Sequence, residues 1–192
     1  MKALEEKILK EGKVLPGNIL KVGSFLNHQI DVDFTMEMGK EIAKLFANDG
    51  VNKILTIETS GIPIAVAAGA AMHVPVVFAK KHKSSNVSGE VLSTVVHSYT
   101  HGTDYTVVVE KDYLSESDNV LIVDDFLANG KALKGLIDII AQAGASVAGA
   151  SCAIEKGFQK GGDELRADGI KVCSLAVIDS MDDCKISFRK QG

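Results

Sequence analysis

The chain has 192 residues, 46% of them hydrophobic and 24% charged, with a formal net charge of -4 and a pI near 5.7. That length supports one sizeable core, so a single domain over residues 1–192 is expected. The acidic balance excludes a general nucleic-acid or membrane-surface partner, because either would need a clustered basic excess.

The opening stretch MKALEEKILKEGKVL alternates acids and bases and reads as an amphipathic helix, not a leader; no apolar run reaches membrane-spanning length. A soluble, cytoplasmic protein is expected. In Val14 to Val32, VLPGNILKVGSFLNHQIDV, proline and two glycines break an apolar segment, which suits a cover over a pocket. Phe34, Met38, Ile42, Leu45 and Phe46 then recur at helical spacing, with Asp33 as N-cap and Gly50 as terminator. Lys53 to Glu58, KILTIE, is a short β-branched strand, TSGIP a turn, IAVAAGAAM a closely packing helix and VPVVFA the next strand, which makes a βαβ unit. Lys80 to Gly102 opens basic and serine-rich before the strand-like EVLSTVV, and its length and composition predict a mobile flap.

The same alternation returns in the second half. NVLIVDD is a strand, Lys131 to Ala143 a helix with Leu133, Ile137 and Ile140 on its apolar side, SVAGASCAIE a strand followed by a glycine-containing loop, and GIKVCSLAVID a last strand. Strands that are nearly continuous apolar runs, alternating with helices, predict an α/β fold: a mainly parallel twisted sheet flanked by helices on both faces.

In such a sheet, ligands bind beyond the carboxyl ends of the strands, which is where Asp124 and Asp125 fall. The following LANGK precedes a helix, so its N–H groups can face an anion, with Gly130 allowing close approach and Lys131 adding charge. Two carboxylates beside a phosphate site need something else to meet, such as sugar hydroxyls or a magnesium ion carried by the ligand. A P-loop fails at two positions, Asp125 for its first glycine and Ala132 for its hydroxyl, and no G-x-G-x-x-G follows a strand. Glu58-Thr59-Ser60-Gly61, between a strand and a helix, offers a second anion nest. Cys152, Cys173 and Cys184 are odd in number without a C-x-x-C pair, and His28, His73, His82, His97 and His101 have no ligand spacing, so no resident metal is expected.

The stretch VLIVDDFLANGKA resembles the signature of the type I phosphoribosyltransferases: a hydrophobic strand, two acids, and a loop of small residues around a glycine. Asn129-Gly130-Lys131-Ala132 stands where the family usually has Thr-Gly-x-Thr. With LPGNILKVGSFLNHQID, TIETSGIPIA and AIEKGFQKGG, the resemblance runs across nearly the whole chain and is to the family's xanthine-specific branch.

The resemblance implies the type I phosphoribosyltransferase fold with a small N-terminal hood over residues 14–32. It implies transfer of the 5-phosphoribosyl group from phosphoribosyl pyrophosphate, with magnesium carried by that substrate, to xanthine, giving xanthosine 5'-monophosphate. Asp124 and Asp125 would face the ribose, and Ala128, Asn129, Gly130, Lys131 and Ala132 would hold the 5-phosphate. Leu20, Asn27 and Lys156 would meet xanthine, with Phe158 available to stack on the ring, and residues 80–102 would close as a lid carrying Lys80, Lys81 and Lys83 toward the pyrophosphate. A homodimer is implied as well, with no nucleic-acid or membrane partner. Two alternatives stay open: a non-catalytic sensor of phosphoribosyl pyrophosphate, and the same reaction with guanine, hypoxanthine or adenine.

Overall fold

The computed structural model describes residues 1–81, 89–98, 103–182 and 185–190. Helix α1 (Lys2–Glu11) is followed by a small hairpin, β1 (Lys13–Leu15) and β2 (Ile19–Lys21), and by a π-helical turn, Gly23–Asn27. The hairpin and the π-helical turn occupy most of the segment 14–32 expected as a hood, and α1 precedes it. Helix α2 (Val32–Leu45) starts two residues earlier than the apolar spacing suggested. Its N-cap is Asp31 and not Asp33: Asp31 Oδ1 accepts from Phe34 N at 3.2 Å, while Lys7 Nζ donates to Oδ2 at 2.8 Å. Asp33 lies in the first turn instead, where its charge still favours the helix N-terminus.

The main sheet has the order β10-β9-β8-β7-β3-β4. Its strands are β3 (Lys53–Ile57), β4 (Val76–Ala79), β7 (Asn119–Leu127), β8 (Ser146–Lys156), β9 (Val172–Ser180) and β10 (Ser187–Phe188). All pairings are parallel except that of β10 with β9. Helices α3 (Ile62–Met72), α4 (Lys131–Gln142) and α5 (Gly161–Ala167) complete the units. Neither the short α5 nor β10 was expected.

Both faces of the sheet are covered, which is why its strands are apolar throughout. In β7, Leu121 and Val123 join the core under α1, α2, α3 and the hood, while Val120 and Ile122 join the core under α4. All four are 0% exposed, and each contributes roughly 1.5–3 kcal/mol by leaving water. Close helix packing on the first face depends on Gly39, where a Cβ would lie 2.4 Å from the Ala67 carbonyl carbon.

Of the expected flap, residues 82–88 and 99–102 lie outside the described residues. Strand β5 (Val91–Ser98) pairs in antiparallel fashion along its length with β6 (Thr103–Glu110), whose sequence TDYTVVVE was not read as a strand. Lys80 and Val108 exchange two backbone hydrogen bonds at 2.9 Å, joining β6 to the end of β4. The expected positions Lys83, His82, His101 and Cys184 lie outside the described residues. Among the described residues, no helix is long and apolar enough to cross a membrane.

Candidate active site

Asp124 and Asp125 lie near the carboxyl end of β7, the most central strand of the parallel part. Asp124 is buried, at 6% exposure, and its Oδ1 accepts from Asp125 N at 2.9 Å. Burial, and next the Asp125 charge, push the Asp124 carboxyl well above the usual carboxylate range. Asp125 is half-buried; its Oδ1 accepts from Phe126 N at 3.0 Å, leaving Oδ2 toward the hood.

Beyond β7, Ala128 to Gly130 form a tight turn into α4. Gly130 has φ 77°, a left-handed conformation that favours glycine, and it immediately precedes the helix. Lys131 N donates to Asn129 Oδ1 at 3.1 Å, so the amide side chain closes the turn where the family usually has a hydroxyl residue. From behind, Gly161 N donates to Ala128 O at 3.1 Å.

The turn from β3 into α3 faces the two acids. Glu58, Thr59, Ser60, Lys81, Tyr105, Asp124, Asp125 and Ala132 line a cleft of about 140 Å³. Gly61 is packed against it: a Cβ there would lie 2.3 Å from Thr56 Oγ1 and 2.7 Å from Asp124 Oδ1. Lys81 N donates to Glu58 Oε1 at 2.6 Å, fixing the root of the flap to this turn. Of the expected lysines, Lys81 therefore reaches the cleft, whereas Lys80 lines a separate groove between β4 and β6.

The hood touches the site at two points. Asn27 Nδ2 lies 3.5 Å from Asp125 Oδ2, the long limit of a hydrogen bond. Lys156 Nζ donates to Asn18 O at 3.0 Å in the β1–β2 turn and lies 5.8 Å from the centre of the Phe126 ring. Burial lowers the Lys156 ammonium from the ordinary lysine range. Leu20 is 7% exposed and belongs to the core beneath the hood. Phe158 and Phe126 both pack, partly buried, against that same core, and Phe126 is the ring beside Lys156.

Tyr105 is a cleft residue that the sequence reading missed. It lies on β6, and burial followed by the Asp124 charge raises its phenol above the ordinary value, so at neutral pH it is a hydrogen-bond donor. The alternation of TDYTVVVE was the signal that could have put it on a strand bordering the site.

Residues 24–180 match the family model described as phosphoribosyl transferase domain. A xanthine phosphoribosyltransferase of Limosilactobacillus reuteri (strain DSM 20016) is 50% identical over 190 residues, spanning 99% of this chain and 100% of that protein. That of Bifidobacterium adolescentis is 55% identical over 183 residues, spanning 95% of each. The solved adenine phosphoribosyltransferase of Giardia lamblia, complexed with 9-deazaadenine, has a TM-score of 0.75 over 91% of this chain and 96% of that one; at 19% identity it speaks for the fold alone. With a signature strand, an acid pair and a glycine turn leading into a helix, and with half-identical relatives over the full length, the chain belongs to the phosphoribosyltransferase family, in its xanthine phosphoribosyltransferase branch.

Proposed function

We propose that the protein transfers the 5-phosphoribosyl group of phosphoribosyl pyrophosphate to xanthine, giving xanthosine 5'-monophosphate and pyrophosphate. The observation that carries this reading is the meeting of the acid pair, the first turn of α4 at Ala132 and the turn into α3 around one cleft, with the hood reaching the acid pair at Asn27. The turn at Ala128, Asn129, Gly130, Lys131 and Ala132 is suited to the 5-phosphate, because it leads into the N-terminus of α4, whose field favours an anion. Glu58 to Gly61 is suited to the pyrophosphate, with Lys81 adjacent. Asp124 and Asp125 are placed for the ribose.

As the bond from the anomeric carbon to pyrophosphate breaks, positive charge develops on the sugar, and a carboxylate beside the ribose stabilises it. Asp125 supplies that charge, while the buried Asp124 orients the strand end by accepting from the Asp125 amide. Tyr105 adds a neutral donor to the pyrophosphate side, and β5, β6 and the flap exclude water from the activated sugar. Lys156, Asn27 and the hood receive the purine, with the Lys156 ammonium donating to a carbonyl oxygen.

Magnesium belongs to this reading as part of the substrate, and bound there it would neutralise the departing pyrophosphate. The donor set fits that arrangement. The cleft offers the Asp125 carboxylate and that of Glu58 to an ion already held by phosphate oxygens. The free thiols of Cys152 and Cys173 fit a cytoplasmic setting. A homodimer is the remaining element; the groove in which Val76, Phe78 and Tyr113 lie beside the charged Lys80 and Glu110, with Phe78 43% exposed, is a surface a second copy would cover, and sedimentation at micromolar concentration tests it.

The deciding experiment offers xanthine, guanine, hypoxanthine and adenine, separately and in competition, with phosphoribosyl pyrophosphate and magnesium. Preferred consumption of xanthine is the expected result. Preference for another base overturns the purine assignment, and binding of phosphoribosyl pyrophosphate without consumption of any base overturns the enzyme.

A further inference from the structure

Glu155 lies on β8 next to its end and is 0% exposed. A buried carboxylate needs a partner, and this one has a forked pair: it accepts from Arg166 Nη1 at 2.9 Å and Nη2 at 2.7 Å. Ser174 Oγ, on β9, donates to it at 2.5 Å. Arg166 Nε donates to Val172 O at 3.2 Å, and its Nη1 shares Asp163 with Arg189. Both arginines of the chain are thus gathered at α5.

A buried ion pair is a poor source of stability, because desolvation offsets its attraction and apolar replacements often serve as well. What the planar guanidinium fork supplies is fixed geometry. Here the geometry is that of two consecutive glycines at the start of α5. At Gly162 a Cβ would come 2.1 Å from Glu155 Oε1; at Gly161 one would come 2.4 Å from Ala128 O, Asn129 C and Gly130 N. The start of α5 is therefore wedged between the Glu155 carboxylate and the turn before α4, and Gly161 N holds Ala128 O.

We propose that Glu155 and Arg166 are positioning residues for the 5-phosphate turn: the pair sets where α5 begins, and α5 sets where Ala128, Asn129 and Gly130 lie. The inference rests on the reading of that turn as the phosphate site. Neither side chain lines the cleft. Lys156 follows Glu155, but strand alternation directs it to the other face, and pairing with both β7 and β9 holds this end of the β8 backbone, so the purine end stays in place.

Glu155→Gln keeps the shape of the side chain and removes its charge. The expected result is a KM for phosphoribosyl pyrophosphate raised about tenfold or more, with KM for xanthine within about twofold, since small misplacements of a binding group are costly. Ribose 5-phosphate binding, measured by calorimetry, should weaken in parallel. A purely structural role would lower the melting temperature and the active fraction while leaving both KM values of the folded enzyme unchanged; that result overturns the proposal.

Wild-type protein separates the two readings. If it does not bind ribose 5-phosphate, the phosphate-site assignment falls and this inference with it. If wild type and well-folded Glu155→Gln bind equally, only the brace is refuted. Should Glu155→Gln fail to fold, Arg166→Lys, which keeps the charge and removes the fork that spans both Glu155 oxygens, carries the measurement. A smaller rise in the same KM supports the brace, and an unchanged KM overturns it.

Discussion

Gly61→Ala isolates a single steric contact behind the acid pair. Gly61 has φ -72° and ψ -24°, right-handed helical values that alanine adopts freely, so no backbone strain enters. At an open site of that conformation, alanine would stabilise by about 0.4–1 kcal/mol through the unfolded chain. Here the new methyl would lie 2.3 Å from Thr56 Oγ1 and 2.7 Å from Asp124 Oδ1, each roughly 1 Å inside the 3.4 Å at which ordinary contact begins. Thr56 is 0% exposed and β-branched, so it has little room to turn aside. The strain falls on Asp124 and on the turn into α3, the two sides of the cleft. Overpacking of this kind costs about 1–3 kcal/mol of stability, and a shift of about 1 Å in a reacting group lowers kcat/KM up to roughly 100-fold. Urea unfolding and steady-state kinetics with xanthine and phosphoribosyl pyrophosphate measure both effects. A variant with kcat/KM within about twofold of wild type would refute the placement of Gly61 against Asp124 as a constraint on the site.

Asp125→Asn should lower kcat strongly while changing stability by no more than about 0.5 kcal/mol, because the side chain is half-buried and the amide keeps an acceptor for Phe126 N; near wild-type turnover would remove this carboxylate from the mechanism. Lys156→Met keeps the apolar stem beside Phe126 and removes the ammonium, so KM for xanthine should rise with that for phosphoribosyl pyrophosphate unchanged; an effect confined to phosphoribosyl pyrophosphate would refute the purine assignment. Asp124 gives a pH prediction: its folded carboxyl is raised by burial, so the folded state holds the proton more tightly, and stability present at acid pH is lost as pH rises through the folded value. Asp124→Asn should therefore unfold at a higher temperature than wild type at pH 7, with the difference shrinking toward pH 4, and a constant difference across that range would refute the burial argument.

The elements legible in the sequence are those whose signal is local. The run from Val120 to Val123 reads as a doubly covered strand because both core layers take alternate residues from it. The start of α2 was misread because Asp31 and Asp33 are equally good caps by composition; what chooses Asp31 is a long-range partner, Lys7, that no spacing rule includes. Strand β6 was missed for a similar reason. Residues 80–102 read as a flap containing the strand-like EVLSTVV, whereas the strand partner of Val91–Ser98 is TDYTVVVE, an alternating segment beyond the expected boundary.

The candidate site divides along the same line. Its acid pair and glycine turn are contiguous in sequence, and the chemistry of the residue types pointed to a phosphorylated sugar before any geometry was known. The contacts that join the hood to them are not contiguous: Asn27 reaches Asp125 across 98 positions, and Lys156 reaches Asn18 across 138. Glu155 is intermediate between these cases. An acid closes the apolar strand SVAGASCAIE just as two acids close NVLIVDD, so its type and place in the sequence do not tell a ligand-facing carboxylate from a buried one. Burial, and the fork of Arg166 that answers it, come only with the packing of α5 against the strand end. What local pattern could not supply is the packing: two glycines whose missing side chains leave room for the Glu155 carboxylate on one side let α5 press against the turn at Ala128 on the other.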